Sequence, residues 1–409
     1  MKIKDVKTVL LTGPSTNDPY LREARGRRSA AFVEVTADSG LTGVGETYAG
    51  YFIPEIVPEI VEFFKPILLG NEFMNIDALW QRMYHCGNFW CRNGVGLQVL
   101  TGIEAALYDL KGKVLNLPVY ELLGGRRHES IPCYASGGPA NYPLDKLFGK
   151  IEYYMSLGFN AVKIAAGEFY SDDGLGKFVS SAVPAEAAEM EGKKLEAIKG
   201  RFGNGFTLNL DGHMGNWQNM ETIWNVETAK AVMKICENYN LGFFEEPLHY
   251  NDLDGYAELC RSTGVTIAGG ECLAGAAEWK IYIDKNCFDM GQPDASYVGG
   301  IGQFMKIAQL LEGRGRRLAT HSWSAGAGFM QNIHAAFACS NTAVLEIAPD
   351  YGPLHSEIIG DSFRMKDGKA LPPEAPGLGI RLTDATKEKF PFVRGSGEFN
   401  DVPGKILTD

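Results

Sequence analysis

The chain has 409 residues, of which 22% are charged and 45% hydrophobic, and its formal net charge is −11. This length allows two domains and a large core, the negative charge argues against a nucleic-acid partner, and no apolar run is long enough to span a bilayer. The N-terminal stretch MKIKDVKTVLL indicates a strand and not a signal peptide, because it lacks a long apolar core and a small-residue cleavage site. The eight scattered cysteines form no CxxC pair, so we expect reduced thiols in a cytoplasmic protein.

The first 47 residues predict a three-stranded antiparallel meander over Ile3–Thr12, Ser29–Thr36 and Gly43–Thr47. The polar segment Gly13–Arg28 joins the first two strands. Its arginines are Arg22, Arg25, Arg27 and Arg28. Such a segment is either solvated surface or a flap that covers a pocket and presents an arginine or tyrosine to an anion.

Residues 54–123 have a helical period, with apolar side chains at Ile56, Val57, Ile60, Val61 and Phe64 in the first helix. A meander followed by helices predicts an α+β domain over residues 1–130.

From residue 131 the pattern alternates between strand and helix. The predicted strands are Pro132–Ser136, Ala161–Ala165, Thr207–Asp211, Gly242–Glu245, Thr266–Gly270, Met290–Gln292, Arg317–Thr320 and Ala343–Ile347. Eight strands can close a barrel, so residues 131–350 predict a modified (β/α)₈ barrel of the TIM type, with a loop insertion at Glu168–Phe178. Residues 351–409 contain a possible hairpin at Lys366–Gly368, and we expect this segment to fold back onto the first domain.

Three acids follow short apolar runs: Asp211 in LNLDGH, Glu245 in FFEEP and Glu271 in GGEC. They are 34 and 26 residues apart, and one strand–helix unit of such a barrel takes roughly 25 to 35 residues. The three carboxylates therefore converge at the C-terminal edge of the barrel, where active sites form. All-oxygen ligation favours a hard divalent cation such as Mg²⁺. The alternative is three ordinary acids that face solvent or cap helices.

Asp294 and His321 are 27 residues apart, which again corresponds to one strand–helix unit. A carboxylate on one imidazole nitrogen fixes the tautomer and raises the basicity of the other nitrogen. This pair is a candidate general base, although a histidine at a strand end is often structural.

Three further residues belong to the predicted barrel mouth. His213, two residues after Asp211, can protonate a leaving hydroxyl or can be an ordinary loop histidine. Lys163 needs an anion to pair with, either the metal-binding carboxylates or a substrate carboxylate. Glu346 can hydrogen-bond a substrate oxygen or balance the charge of Lys163.

Taken together, the chain resembles the enolase superfamily in its mandelate racemase-like branch. The resemblance depends on TADSGLTGVGE and GIEAALYDLKGKVLNLPVYELLGG in the first part, and on LNLDGH, FFEEP, GGE, QPD and THS in the barrel. It implies a capping α+β domain over the barrel and Mg²⁺ held by Asp211, Glu245 and Glu271. It also implies that Asp294 and His321 remove the proton beside a substrate carboxylate, and that Glu346 contacts this carboxylate opposite the metal.

One position departs from the family pattern. Many members have Lys-x-Lys where this chain has Lys163-Ile164-Ala165, and alanine cannot move a proton. Members that lack this second lysine include sugar-acid dehydratases with a histidine placed as His213 is. The resemblance therefore implies dehydration of an aldonate or aldarate to a 2-keto-3-deoxy acid, by a homo-oligomer with no nucleic-acid or membrane partner. Cycloisomerisation of a lactone or anhydro acid, epimerisation with His213 as second base, and ligand binding without catalysis are the alternatives.

Overall fold

An antiparallel sheet begins the fold, as the sequence predicts. In this computed structural model its strands are β1 (Ile3–Pro14), β2 (Arg27–Ala37) and β3 (Thr42–Thr47), in the order β1-β2-β3. The described residues are 1–20, 27–137, 143–170, 178–215 and 220–395.

Within the described residues, the first part of the chain also contains four helices. They are α1 (Val57–Leu68), α2 (Ile76–Cys86), α3 (Val95–Leu115) and α4 (Val119–Leu122), with 3₁₀ turns at Tyr48–Tyr51 and Pro54–Ile56. Helix α3 lies so close to β3 that a Cβ at Gly45 would stand 2.2 Å from the Gly102 carbonyl oxygen. Glycine at this position of β3 therefore permits the contact between helix and strand.

The remaining strands form a closed barrel and two hairpins. They are β4 (Ile131–Ser136), β5 (Ala161–Ala165), β6 (Phe169–Tyr170), β7 (Phe178–Val179), β8 (Thr207–Asp211), β9 (Leu241–Glu245), β10 (Ile267–Gly269), β11 (Met290–Gly291), β12 (Arg317–Ala319), β13 (Thr342–Ile347), β14 (Arg364–Lys366) and β15 (Lys369–Leu371). Eight of them, β4, β5 and β8 to β13, are parallel neighbours, and β13 pairs with β4 to close the ring. The predicted barrel is thus confirmed.

Helices follow the barrel strands on the outside. They are α5 (Leu144–Ser156), α6 (Pro184–Phe202), α7 (Val226–Cys236), α8 (Leu253–Ser262), α9 (Gly275–Lys285), α10 (Ile301–Glu312), α11 (Ala327–Phe337), α12 (Pro353–Ile359) and α13 (Asp384–Lys389), with a 3₁₀ turn at Met220–Thr222. The short pair β6–β7 flanks residues 171–177, so most of the predicted insertion lies outside the described residues.

A small apolar cluster fills the barrel interior. It consists of Tyr134, Phe243, Ala268, Met290 and Ala319, contributed by five different strands. Because this interior is packed, polar side chains of the strands collect at the open C-terminal edge.

The C-terminal segment contacts both parts of the molecule. The hairpin β14–β15 pairs antiparallel with β4, where Lys369 lies opposite Pro132. Further along, the Leu378 N–H donates to Asp109 of α3 at 2.8 Å, and Lys387 pairs with Glu34 of β2 at 2.7 Å. The segment thus contacts the barrel as well as the first domain, whereas the sequence predicted only the latter. The division at residues 130 and 350 stays a prediction.

All eight cysteines are free thiols. Among the described residues, no helix combines the length and the apolar character needed to cross a membrane.

Candidate active site

Strand pairing places the first two predicted metal ligands side by side. Asp211 and Glu245 are the last residues of β8 and β9 and are directly paired across the two strands. Glu271 lies two residues beyond the end of β10, in the turn that follows it. The three acids therefore occupy the same edge of three successive strands.

Lys163 of β5 lies at the centre of these carboxylates. Its Nζ is 2.7 Å from Glu245 Oε1, 3.1 Å from Glu346 Oε1 and 3.3 Å from Asp211 Oδ2. Burial alone lowers the pKa of Lys163, but Asp211, Glu245 and Glu346 outweigh burial and raise that pKa well above its ordinary value. Lys163 is thus a permanent cation. It neutralises part of the acid cluster and holds three strand ends together.

Glu346 at the end of β13 is ionised and fixed. It accepts from the Ser136 hydroxyl at 2.6 Å and from the Ser322 N–H at 2.6 Å, besides its contact with Lys163. Burial raises the pKa of Glu346, but Lys163 and the nearby His321 lower this pKa by more than burial raises it. The net shift is therefore downward. The sequence predicted that Glu346 either hydrogen-bonds a substrate oxygen or balances the charge of Lys163. These contacts support the second role.

His321 and Asp294 form the expected pair. His321 Nδ1 is 2.8 Å from Asp294 Oδ2, and both side chains are buried. The other oxygen, Oδ1, accepts from the Ser296 N–H at 2.7 Å, the Ser296 hydroxyl at 2.6 Å and the Asn332 amide at 2.8 Å. With so many donors the carboxylate is held in one orientation. This leaves His321 Nε2 directed toward the acids, 3.6 Å from Glu271 Oε2.

His213 faces the same acid from the other side. Its Nδ1 is 3.9 Å from Glu271 Oε1 and 3.7 Å from Asp211 Oδ2, and its side chain is 38% exposed. Its backbone φ of +50° lies in the left-handed region that residues with a Cβ seldom adopt. Glu271 is therefore flanked by two imidazoles, one on each carboxylate oxygen.

Burial alone lowers the pKa of His321, but Glu271 and the Asp294 hydrogen bond outweigh burial and raise that pKa to about 10. Burial likewise lowers the pKa of His213, while Glu271 and Asp211 raise it to about 10. The cause is the same at both rings, since the cluster holds more acid groups than cations.

All eight predicted site residues belong to one set of side chains that are joined by contacts of 3.9 Å or less.

Two family models match most of the chain. Residues 9–124 match the mandelate racemase / muconate lactonizing enzyme N-terminal domain, and residues 150–386 match the enolase C-terminal domain-like family. The chain is a member of the enolase superfamily. It belongs to the mandelate racemase-like branch and is therefore an enzyme.

Named relatives of this superfamily act on acid sugars. The chain is 27% identical over 399 residues to an arabinonate dehydratase of Saccharolobus solfataricus, covering 95% of this chain and 99% of that one. Among solved structures, the 3,6-anhydro-D-galactonate cycloisomerase of Zobellia galactanivorans has a TM-score of 0.80 and 28% identity, covering 95% and 99% of the two chains. L-Talarate dehydratase of Polaromonas sp. JS666, complexed with Mg and L-glucarate, has a TM-score of 0.79 and 26% identity, covering 95% and 96%.

The sequence did not indicate two further residues that lie beside the predicted metal-binding acids. Gln292 donates to Glu245 Oε2 at 2.5 Å. Glu246 is 1% exposed, and neither of its carboxylate oxygens has a hydrogen-bond partner among the described residues. Its φ of +39° turns it away from the strand direction. The doubled glutamate in FFEEP was the available signal, but it does not indicate which of the two faces the cluster.

The residues fit a divalent cation. Among the described residues, His213, Glu246 and Glu271 form a group that could hold a metal ion, because their ligand atoms lie within 4.8 Å of one another. This group shares only Glu271 with the predicted triad. Glu245 contacts Lys163 and Gln292, and Asp211 contacts Lys163. Burial and the carboxylates of Glu271 and Asp211 raise the pKa of Glu246 well above its ordinary value. A buried carboxylate without a partner is costly unless a cation or proton compensates it.

Arg28, the last residue of the predicted flap, contacts the loop that follows His321. Arg28 is buried, and its guanidinium lies 4.4 Å from the ring centre of Tyr51 and 5.3 Å from that of Trp323. Beside it lies a cavity of about 20 Å³ whose lining includes Tyr351 and His355 but no acid. This volume accommodates a group of one or two water sizes. Arg22 and Arg25, predicted in the same flap, lie outside the described residues.

Proposed function

We propose that the protein is a Mg²⁺-dependent dehydratase that converts an aldonate or aldarate to a 2-keto-3-deoxy acid. The observation that carries this proposal is the placement of two imidazoles on the two oxygens of Glu271, one of them buttressed by a buried aspartate. Dehydration needs a base for the proton at C2 and an acid for the hydroxyl at C3, and the two rings can supply these roles.

Asp211, Glu245 and Glu271 are the residues we expect to hold the cation. When bound, Mg²⁺ supplies positive charge beside the substrate carboxylate. Glu271 is also the main cause that raises the pKa of His321, so a cation held by Glu271 would lower that pKa and favour the neutral Nε2 that a base needs. The Mg-containing structure of L-talarate dehydratase supports this choice of metal.

His321 takes the proton from C2 through Nε2. Asp294 holds Nδ1 at 2.8 Å, which fixes the tautomer and stabilises the imidazolium that forms. The electron pair of the broken C–H bond moves into the substrate carboxylate to give an enediolate. Lys163, fixed among Asp211, Glu245 and Glu346, contributes a nearby permanent positive charge.

His213 donates its proton to the hydroxyl at C3, which leaves as water while the electron pair returns to form the C2–C3 double bond. The enol product then takes a proton at C3 and becomes the 2-keto-3-deoxy acid. Ala165 replaces the second base of many relatives, so racemisation through that position is excluded by its chemistry.

The distal end of the acid sugar lies, in this proposal, toward Arg28 and its cavity. This polar lining without acids suits hydroxyl or carboxylate groups. The free thiols are consistent with a reducing compartment, and we propose that the enzyme is cytoplasmic. The family resemblance is the ground on which we propose a homo-oligomer.

The decisive experiment is a screen of aldonates and aldarates with purified protein and MgCl₂. We expect semicarbazide-reactive keto acid from at least one substrate, and no product with EDTA. A broad library without any product would contradict the proposal.

A cycloisomerase is the second candidate, and the similarity to the anhydro-galactonate cycloisomerase favours it. In that case an intramolecular ring oxygen would leave in place of water. NMR of the product distinguishes the two reactions, because a ring is lost or formed while the elemental composition stays unchanged.

A further inference from the structure

Glu46, the penultimate residue of β3, is a capping-domain residue whose carboxylate contacts the barrel. Its Oε1 accepts from the Tyr51 hydroxyl at 2.8 Å and from the Ala325 N–H at 3.1 Å, and its Oε2 accepts from the Gly328 N–H at 2.8 Å. The residue is completely buried. Burial raises the pKa of Glu46, while the three donors and the nearby Arg28 oppose this rise.

Of the two barrel donors, Ala325 lies just before α11 and Gly328 lies in its first turn, and α11 is the helix that follows β12 and His321. A carboxylate here satisfies N–H groups that have no partner within the helix and lies at the positive end of the helix dipole. The backbone N–H of Glu46 also donates to Gln331 of α11 at 2.8 Å. Glu46 therefore holds α11 by its side chain and by its main chain.

From α11 and its preceding loop, two short paths lead to the catalytic pair. Asn332 of α11 donates to Asp294 Oδ1 at 2.8 Å. Ser324, the residue before Ala325, lies 2.9 Å from the Ser296 hydroxyl, which in turn donates to Asp294 Oδ1 at 2.6 Å. All of these side chains are buried.

The packing around these paths is tight. A Cβ at Gly328 would stand 2.5 Å from Ser324 Oγ and 2.9 Å from Ser296 Cβ. Tyr48 of the capping domain adds a further hydrogen bond, because its N–H donates to the Ser296 carbonyl at 3.1 Å. A shift of α11 would therefore be transmitted to the groups that orient Asp294.

We propose that Glu46 is a positioning residue for the proton-transfer pair, acting through α11 and the Ser324–Ser296 contact on Asp294 and hence on His321. This inference relies on the proposed function for the reaction that the pair performs. The geometry itself is independent of the substrate.

The test is Glu46→Gln, which keeps the shape but directs an amide NH₂ at one of three donors. We expect kcat and the rate of deuterium exchange at C2 to fall about 10- to 100-fold, because small misplacements of a base have effects of this size. We expect KM and Mg²⁺ affinity to stay within about threefold, since the loss concerns the transition state.

Glu104→Gln is the matched control. Glu104 of α3 is also buried, and the Gly302 N–H at the start of α10 donates to it at 3.2 Å. No side-chain hydrogen bond among the described residues joins it to Asp294. We therefore expect this variant to lose stability without a comparable loss of kcat.

A double-mutant cycle with Ser324→Ala separates positioning from general destabilisation. If Glu46 acts through this serine, the two losses in kcat are not additive. Strictly additive losses, or a Glu46→Gln variant whose melting temperature falls while kcat and C2 exchange stay unchanged, would overturn the proposal.

A measurement without substrate keeps the test valid if Glu46→Gln fails to fold or no acid sugar reacts. The His321 Nδ1 proton, identified by its absence in His321→Asn, reports the bond to Asp294 by ¹H NMR. We expect its resonance to shift in Ser324→Ala and Tyr51→Phe and to stay in place in Glu104→Gln. An unshifted resonance in the first two variants refutes positioning, whereas a shifted resonance with no turnover refutes only the dehydratase proposal.

Discussion

His213 and His321 differ in what holds them, and this difference predicts different defects when each ring is removed. His321 is buried and bonded to Asp294, whereas His213 is 38% exposed and has only longer contacts to Asp211 and Glu271. The buttressed ring suits the base that starts the reaction, and the exposed ring suits the acid that completes it.

We predict that His321→Asn lowers the rate of product formation and the rate of deuterium exchange at C2, each by roughly 10²–10⁴-fold. His213→Asn should abolish product formation while C2 exchange continues, because the base is still present. NMR of the substrate in D₂O with MgCl₂ measures both processes in one sample. Loss of exchange in His213→Asn as well would argue against the assigned roles.

The convergence of the candidate site residues was predictable where strand spacing governs it. Asp211, Glu245, Asp294 and His321 follow parallel strands, and parallel strands end at one edge, so their convergence follows from sequence separation alone. The role of Glu46 was not predictable, because its partners in the barrel are more than 270 residues away and lie in a loop and a helix terminus without a distinctive pattern.

At the scale of elements, helix α11 joins the two parts of the molecule through a buried histidine. His334 Nδ1 accepts from the Tyr120 N–H of α4 at 3.3 Å, and the two rings are stacked. Burial lowers the pKa of His334 to about 3. The neutral imidazole of His334 is thus part of the contact between α11 and α4.

This histidine should make the fold sensitive to acid. Its pKa in the folded protein lies below that in the unfolded chain, so its stabilising contribution is complete above pH 6.5 and is lost as pH falls toward 3. The loss amounts to about 1.4 kcal/mol for each pH unit below 6.5. Urea unfolding at pH 7 and pH 5 should therefore show a smaller pH effect for His334→Gln than for the wild type. Equal pH effects in the two proteins would contradict this prediction.

Element positions followed from pattern more reliably than element ends. The eight barrel strands lie where alternation of apolar runs and helical segments predicts them, because each run must be buried on both faces. Strand β10 ends at Gly269, so Glu271 lies in a turn and not at a strand end. The pairing of β15 with β4 could not be foreseen, since it joins residues about 240 positions apart. It uses the first two residues of β4, which precede the residues that pair with β13 and β5 in the barrel.

At the scale of the whole molecule, the acid cluster predicts a stability that depends on metal. Asp211, Glu245, Glu246, Glu271 and Glu346 converge on a region where Lys163 is the one lysine among the described contacts. A ligand that binds only the folded state stabilises it by about 2.7 kcal/mol at one hundred times its Kd. We therefore predict that MgCl₂ raises the melting temperature by several degrees and that EDTA reverses the shift.

Paired variants identify the ligands. Glu271→Gln should abolish the thermal shift, and Glu189→Gln, a change at an exposed position of α6, should preserve it. If the predicted triad binds the metal, Glu245→Gln loses the shift and Glu246→Gln retains it. The opposite result would assign the metal to the group containing His213, Glu246 and Glu271.

The bonds between Glu46 and α11 have a consequence for engineering this scaffold. Grafting the N-terminal 130 residues of a relative onto this barrel, to import a different substrate preference, would also replace the strand that braces α11. Such hybrids should work only when the donor fragment supplies a carboxylate at the position of Glu46 and the recipient retains Gln331. Mutant libraries aimed at new sugars should accordingly randomise the flap and leave these two residues untouched.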